Sequence, residues 1–148
     1  MSTADTLLSR HSSLAEKLNP ETRLDDFIQR RATFSINEII EIHRQWYDNL
    51  RLYLLQDSPE LLDQVKTRNT HRCVLGSWMD TEGDALFSSY STYRQLKETH
   101  EELHRTASEV IRLKQENRIN ESLTLLEGGF RELSQRVVQE LRDLRALV

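Results

Sequence analysis

A chain of 148 residues can enclose one core but not comfortably two. Its 20 Lys and Arg are interleaved with 24 Asp and Glu, for a formal charge of -4, and form no basic block of the kind that nucleic-acid binding needs. One cysteine excludes an internal disulfide, no apolar run approaches the ~20 residues that span a bilayer, and MSTADTLLSRHSS lacks the features of a signal peptide, so the expected setting is cytoplasmic, away from membranes.

Only 4 Gly and 2 Pro, against abundant Leu, Glu, Arg and Gln, predict an all-α chain. From Thr3 to Leu18 a weakly helical pattern carries Leu7, Leu8, Leu14 and Leu18, with His11 beside them. Asn19-Pro20 stops it and opens a piece with Leu24, Phe27 and Ile28. Residues 1–33 are read as an N-terminal helical arm, and residues 34–148 as the main bundle.

Ser35-Ile36-Asn37-Glu38 has the form of a capping box and predicts a helix start. The helix runs to about Gln56 with the inward stripe Ile36, Ile39, Ile40, His43, Trp46/Tyr47, Leu50 and Tyr53/Leu54. Asp57-Ser58-Pro59 ends it and caps a short helix with Leu61, Leu62 and Val65. After a polar connection at 67–70, Cys73 to Met79 reads as a helical turn with Thr70 as its cap, and Gly76 suggests a close backbone approach. Asp80–Asp84, with Gly83, is predicted as a loop.

A third long helix is expected from Ala85 to Glu116, with Phe87, Tyr90, Tyr93, Leu96, His100, Leu103/His104 and Ala107 facing inward. After Asn117-Arg118 the cleanest period in the chain runs Ile119, Leu123, Leu126, Phe130, Leu133, Val137, Leu141, Leu144, interrupted at Gly128-Gly129 by a bend or a tight contact. Nothing reads as a strand. The predicted architecture is an antiparallel four-helix-type bundle with its N-terminal arm.

His100 and His104 are four residues apart and so share a helix face. His43 lies on the inward stripe of another helix, and Cys73 at the start of the short helix between them. Zinc favours imidazole nitrogen and thiolate sulfur in a tetrahedral set, and bundle cores supply such ligands from facing helices. The expected site is therefore Zn2+ held by His43, Cys73, His100 and His104. A thiol at a helix N-terminus is expected to ionise more easily. Three neutral imidazoles and one thiolate leave the site positive, which a neighbouring carboxylate would balance: Asp48, Glu101 or Glu102. The blander alternative is that one histidine on an apolar stripe is a hydrogen-bonded core residue and a buried cysteine a small hydrophobe. Three such histidines in one core weigh against it, because unsupported imidazoles would leave several polar groups unsatisfied. His11 and His71 are assigned to the surface or to loops.

His43-x-x-Trp46, Cys73-x-Leu75-Gly76-x-Trp78 and His100-x-x-x-His104, with Tyr93 upstream and Ala107 downstream, together resemble the chemoreceptor zinc-binding (CZB) domain family over roughly residues 35–146. The resemblance implies the same four zinc ligands and a helical bundle that forms homodimers. It further implies a bacterial setting, attached to chemoreceptors or to diguanylate cyclases, with the zinc-bound cysteine as a redox switch. No receptor signalling hairpin or cyclase domain precedes the end at Val148, and residues 1–33 have no counterpart in the signature. The domain is thus expected to act alone on a partner, or as one piece of a larger system.

The expected function is a regulatory or sensory zinc-binding module and not an enzyme. It would control a signalling partner, of chemotaxis or cyclic-di-GMP type, through zinc occupancy or cysteine oxidation. A closed four-ligand site leaves no position for substrate. Two alternatives are a metal-free helical adaptor and a zinc metallopeptidase using His100-Glu101-x-x-His104, with Glu101 as general base. The second lacks any strand to align a peptide.

Overall fold

The computed structural model describes residues 20–56, 60 and 73–148, and the side chains from Arg23 onward within them. The expectations for Thr3–Leu18, His11, Asp57-Ser58-Pro59, Leu61–Val65, Thr70 and His71 lie outside the described residues.

Helix α1 spans Pro20–Gln56 without interruption. Pro20 stands in its first turn, as expected, but Ser35 does not start a helix. The reason lies one turn upstream: Ala32 is as fully buried as Ile36, so the core face already exists before the capping sequence and the helix arrives there formed. The boundary drawn between residues 33 and 34 therefore falls inside a helix. Ile36, Ile39, Ile40, His43, Leu50, Tyr53 and Leu54 are buried, as the stripe predicts.

Helix α2 (Val74–Trp78), a π-helical turn (Met79–Gly83) and α3 (Asp84–Phe87) run into one another. The predicted loop at Asp80–Asp84 is thus helical. Gly83 has ordinary helical backbone angles, so its role is space. A β-carbon there would lie 3.0 Å from the Trp78 ring and 3.0 Å from the Tyr93 hydroxyl. That hydroxyl is itself held by Asp84 Oδ1 at 2.6 Å and the Met79 carbonyl at 2.9 Å.

Helix α4 (Ser91–Gln115) begins later than expected, because the chain breaks at Ser88–Tyr90. Tyr90 leaves the inward stripe and is 42% exposed. At the far end Asn117 takes a left-handed φ of 62°, its N–H bonds the Lys114 carbonyl at 2.9 Å, and the Arg118 N–H bonds that of Leu113 at 2.9 Å. This Schellman closure reverses the chain at the predicted place. Lys114 is buried, donates to the Tyr53 carbonyl and sits 3.9 Å from the Tyr53 ring centroid, which joins the ends of α1 and α4.

The last rod comprises α5 (Ile119–Leu125), a π-helical turn (Leu126–Phe130) and α6 (Arg131–Arg145). Leu126, Phe130, Val137, Leu141 and Leu144 are fully buried along it, and Ser122 Oγ donates to the Val110 carbonyl at 2.7 Å. Helix α6 packs against both α4 and α1. The result is all-α: four helical segments packed together around one core, led by the long α1, with no strand among the described residues. No described helix is long and apolar enough to cross a membrane.

The two π-turns carry glycines of opposite kinds. A β-carbon on Gly128 would meet nothing within 4 Å, so close contact does not explain that glycine. Gly128→Ala is expected to stabilise by about 0.5–1 kcal/mol through restricting the unfolded chain. Gly83→Ala is expected to destabilise by about 1–3 kcal/mol through overpacking against two rings. Urea unfolding of both variants checks the pair, and equal signs would contradict this assignment.

Candidate metal centre

Helix α4 delivers His100 and His104 to the interior at 2% and 3% exposure. Leu96, Leu103 and Ala107 are buried on the same face and fix that orientation by packing. Cys73 reaches them from the start of α2, where it is itself the N-cap in place of the expected Thr70. Its Sγ accepts the Gly76 N–H at 3.2 Å. The sulfur lies 3.1 Å from His100 Nε2, and His104 Nε2 lies 3.0 Å from His100 Nε2. The three ligand atoms fall within 4.8 Å of one another, a group that can hold a metal ion.

His43 comes from α1 and is 4% exposed. Its ring centroid stands 5.9 Å from that of His100, tilted by 53°, so it borders the trio without belonging to it. Both His43 ring nitrogens are buried without a hydrogen bond of normal geometry, although the Ile39 carbonyl one turn back interacts with the ring. Burial first, and the charge of His104 second, lower its pKa to about 4. At neutral pH it is an uncharged imidazole with an available lone pair, the form a metal requires.

Burial also pushes the Cys73 thiol up, and this outweighs the backbone groups of Gly76 and Leu75 that favour the thiolate. The expectation of an easily ionised thiol is thereby corrected for the metal-free chain. At a site this enclosed, desolvation exceeds the pull of one short helix. A coordinated cation reverses the balance, because it deprotonates a thiol outright.

Of the carboxylates considered as neighbours, Asp48, Glu101 and Glu102 are all exposed, and Glu102 pairs with Arg105. Asp80, placed in a loop by the sequence, does act electrostatically on Cys73. An aromatic wall completes the surroundings. Trp46 lies 5.1 Å from the His104 ring and 6.0 Å from that of His43, and Phe130 meets Trp46 edge-on at 5.6 Å. The period of the last helix marked Phe130 as core but held no hint that it would stand behind the histidines.

Two imidazole nitrogens and one sulfur at these separations suit a borderline metal ion such as zinc. The His43 nitrogens supply an independent sign of fit, since a buried polar atom left without a partner costs about 1–3 kcal/mol. Fold and cluster together define a helical bundle with a buried thiol–imidazole centre. Residues 43–111 match the family model CZB, the chemoreceptor zinc-binding domain, and the resemblance read from the motifs holds over that span. It begins at His43 and includes Cys73, His100 and His104. No curated protein and no solved structure matches the chain.

Proposed function

We propose that the chain is a sensory zinc-binding module in which His43, Cys73, His100 and His104 hold one Zn2+. The observation that carries this reading is the convergence of half-buried Cys73 and buried His100 and His104 from two separate segments into one group. Bound zinc supplies positive charge that keeps Cys73 a thiolate and cross-links α1, α2 and α4. The chain's own residues do the rest. His43 offers a neutral nitrogen, Trp46 and Phe130 cover the imidazoles, and Gly76 holds the sulfur in place. Loss of the metal, or two-electron oxidation of Cys73 to a sulfenic acid by an oxidant such as hypochlorous acid, frees the start of α2 and shifts the population of bundle conformations. A homodimer and a bacterial chemotaxis or cyclic-di-GMP partner remain the proposed context, with the family match as support.

The metallopeptidase reading is disfavoured by one observation: Glu101 is exposed, whereas His100 and His104 point inward. A general base must reach the water it activates. Metal analysis of protein purified without added zinc decides between the module and a metal-free adaptor. One zinc per chain, lost in Cys73→Ala, is expected; a folded, metal-free protein would reject the module. Alkylation offers a second check. Cys73 is expected to react slowly with iodoacetamide when zinc is present and much faster after chelation, and identical rates would take the thiolate out of the site.

A further inference from the structure

Four described arginines are closed in short ion pairs with carboxylates three or four residues away: Arg30 with Asp26, Arg105 with Glu102, Arg112 with Glu109 and Glu116, Arg118 with Glu121. Three others are not. Arg44 comes no closer than 4.0 Å to Glu41, Arg131 no closer than 3.8 Å to Glu127, and Arg142 has no ion pair among the described residues. All three line one groove of about 500 Å³ between α1 and α6, where Asp48 is the single lining carboxylate. The neighbouring groove between α4 and α6 is its opposite, lined by Glu98, Glu101, Glu102 and Glu140 against Arg105 and Arg136.

The spacing decides what kind of anion fits. Arg131 and Arg142 are eleven residues apart on one helix, ~16 Å along its axis, and Arg44 stands on the facing wall. Arg131 and Arg142, so spread, are poorly placed to share a single phosphate, but they match carboxylates repeated along a rod. Tyr47 and Val138 give the groove a partly apolar lining suited to a helix laid between two others. A long polyanion such as nucleic acid would run into the acidic neighbouring groove. We propose that the groove between α1 and α6 docks an acidic helical segment of a partner protein. This goes beyond the zinc reading and holds with or without a bound metal. Its location gives it regulatory meaning all the same. Tyr47 stacks on Phe130 at 5.9 Å and 12°, and Phe130 reaches His104 through Trp46.

The test uses the full chain and a fluorescein-labelled, alanine-based helical peptide with glutamates along one face, followed by anisotropy at low and physiological salt. The peptide is expected to bind, its glutamine counterpart to bind about tenfold more weakly or less, and added salt to weaken binding. Arg44→Glu/Arg131→Glu/Arg142→Glu is expected to lose about tenfold or more in affinity, with the milder triple alanine variant intermediate. All three side chains are exposed, so circular dichroism of both variants should match the wild type. Arg136→Glu, in the other groove, is expected to leave binding unchanged. Undiminished binding by both triple variants overturns the proposal. So does equal binding of the glutamine peptide, or displacement of the acidic peptide by a single-stranded oligonucleotide at lower concentration than by the unlabelled peptide itself.

Discussion

His100→Ala is expected to cost about a hundredfold or more in zinc affinity, the largest loss for any single change at the centre. The position explains the size. His100 Nε2 is the shared neighbour of the trio, 3.1 Å from the Cys73 sulfur and 3.0 Å from His104 Nε2, and its ring also faces His43. A four-ligand zinc site is worth roughly 10–16 kcal/mol, so one ligand carries about 3 kcal/mol even if the others keep their places. Competition against a fluorescent zinc chelator measures it. Glu101→Gln serves as the matched control, because Glu101 is exposed and should leave affinity as it was. Unchanged binding by His100→Ala would remove the centre from its proposed role.

The second large effect concerns acid. With the metal chelated, His43 has its pKa lowered from 6.5 to about 4 by burial and by the charge of His104. The unfolded chain carries an ordinary imidazole that takes up a proton near 6.5, while the folded chain resists until near 4. Above 6.5 both states are neutral and the residue brings no penalty. As pH falls from 6.5 towards 4 the unfolded state gains protons first, so stability declines across that window and levels off below it. The accumulated loss is about 3 kcal/mol, following from ~1.4 kcal/mol per pKa unit. Urea titrations of chelated wild type and of His43→Leu at several pH values isolate the residue. The gap between the two proteins should change by about that amount between neutral pH and pH near 4, and a constant gap would refute the assignment. Zinc present at neutral pH masks the effect, since the same nitrogen is then proposed as a ligand.

Much of this molecule is written in local pattern. The 3–4 spacing of Ile36, Ile39, Ile40 and Leu50, and of Leu126, Phe130, Val137 and Leu141, specifies which faces turn inward, and those side chains are buried. Asn117 closes α4 where the pattern breaks. The His100/His104 pair was legible for the same reason: residues four apart on a helix share a face whatever the helix packs against.

Other features depended on neighbours that no window of sequence contains. Ser35 looks like a helix start, yet burial of Ala32 upstream keeps α1 running through it. The Asp80–Asp84 stretch looks like a loop, but Gly83 lets Trp78 and Tyr93 close over a π-turn. Cys73 stands where a helix dipole should favour its thiolate, and burial raises its pKa instead. The chain by itself determined the long helices, most of their inward faces and the side chains able to bind metal, because these follow from residue type and a fixed period. Tertiary structure decided that Cys73 meets His100 while His43 stands a ring's width away, and that three arginines from two helices gather in one groove. Distances between segments are set by how whole faces pack, a property that no single segment possesses.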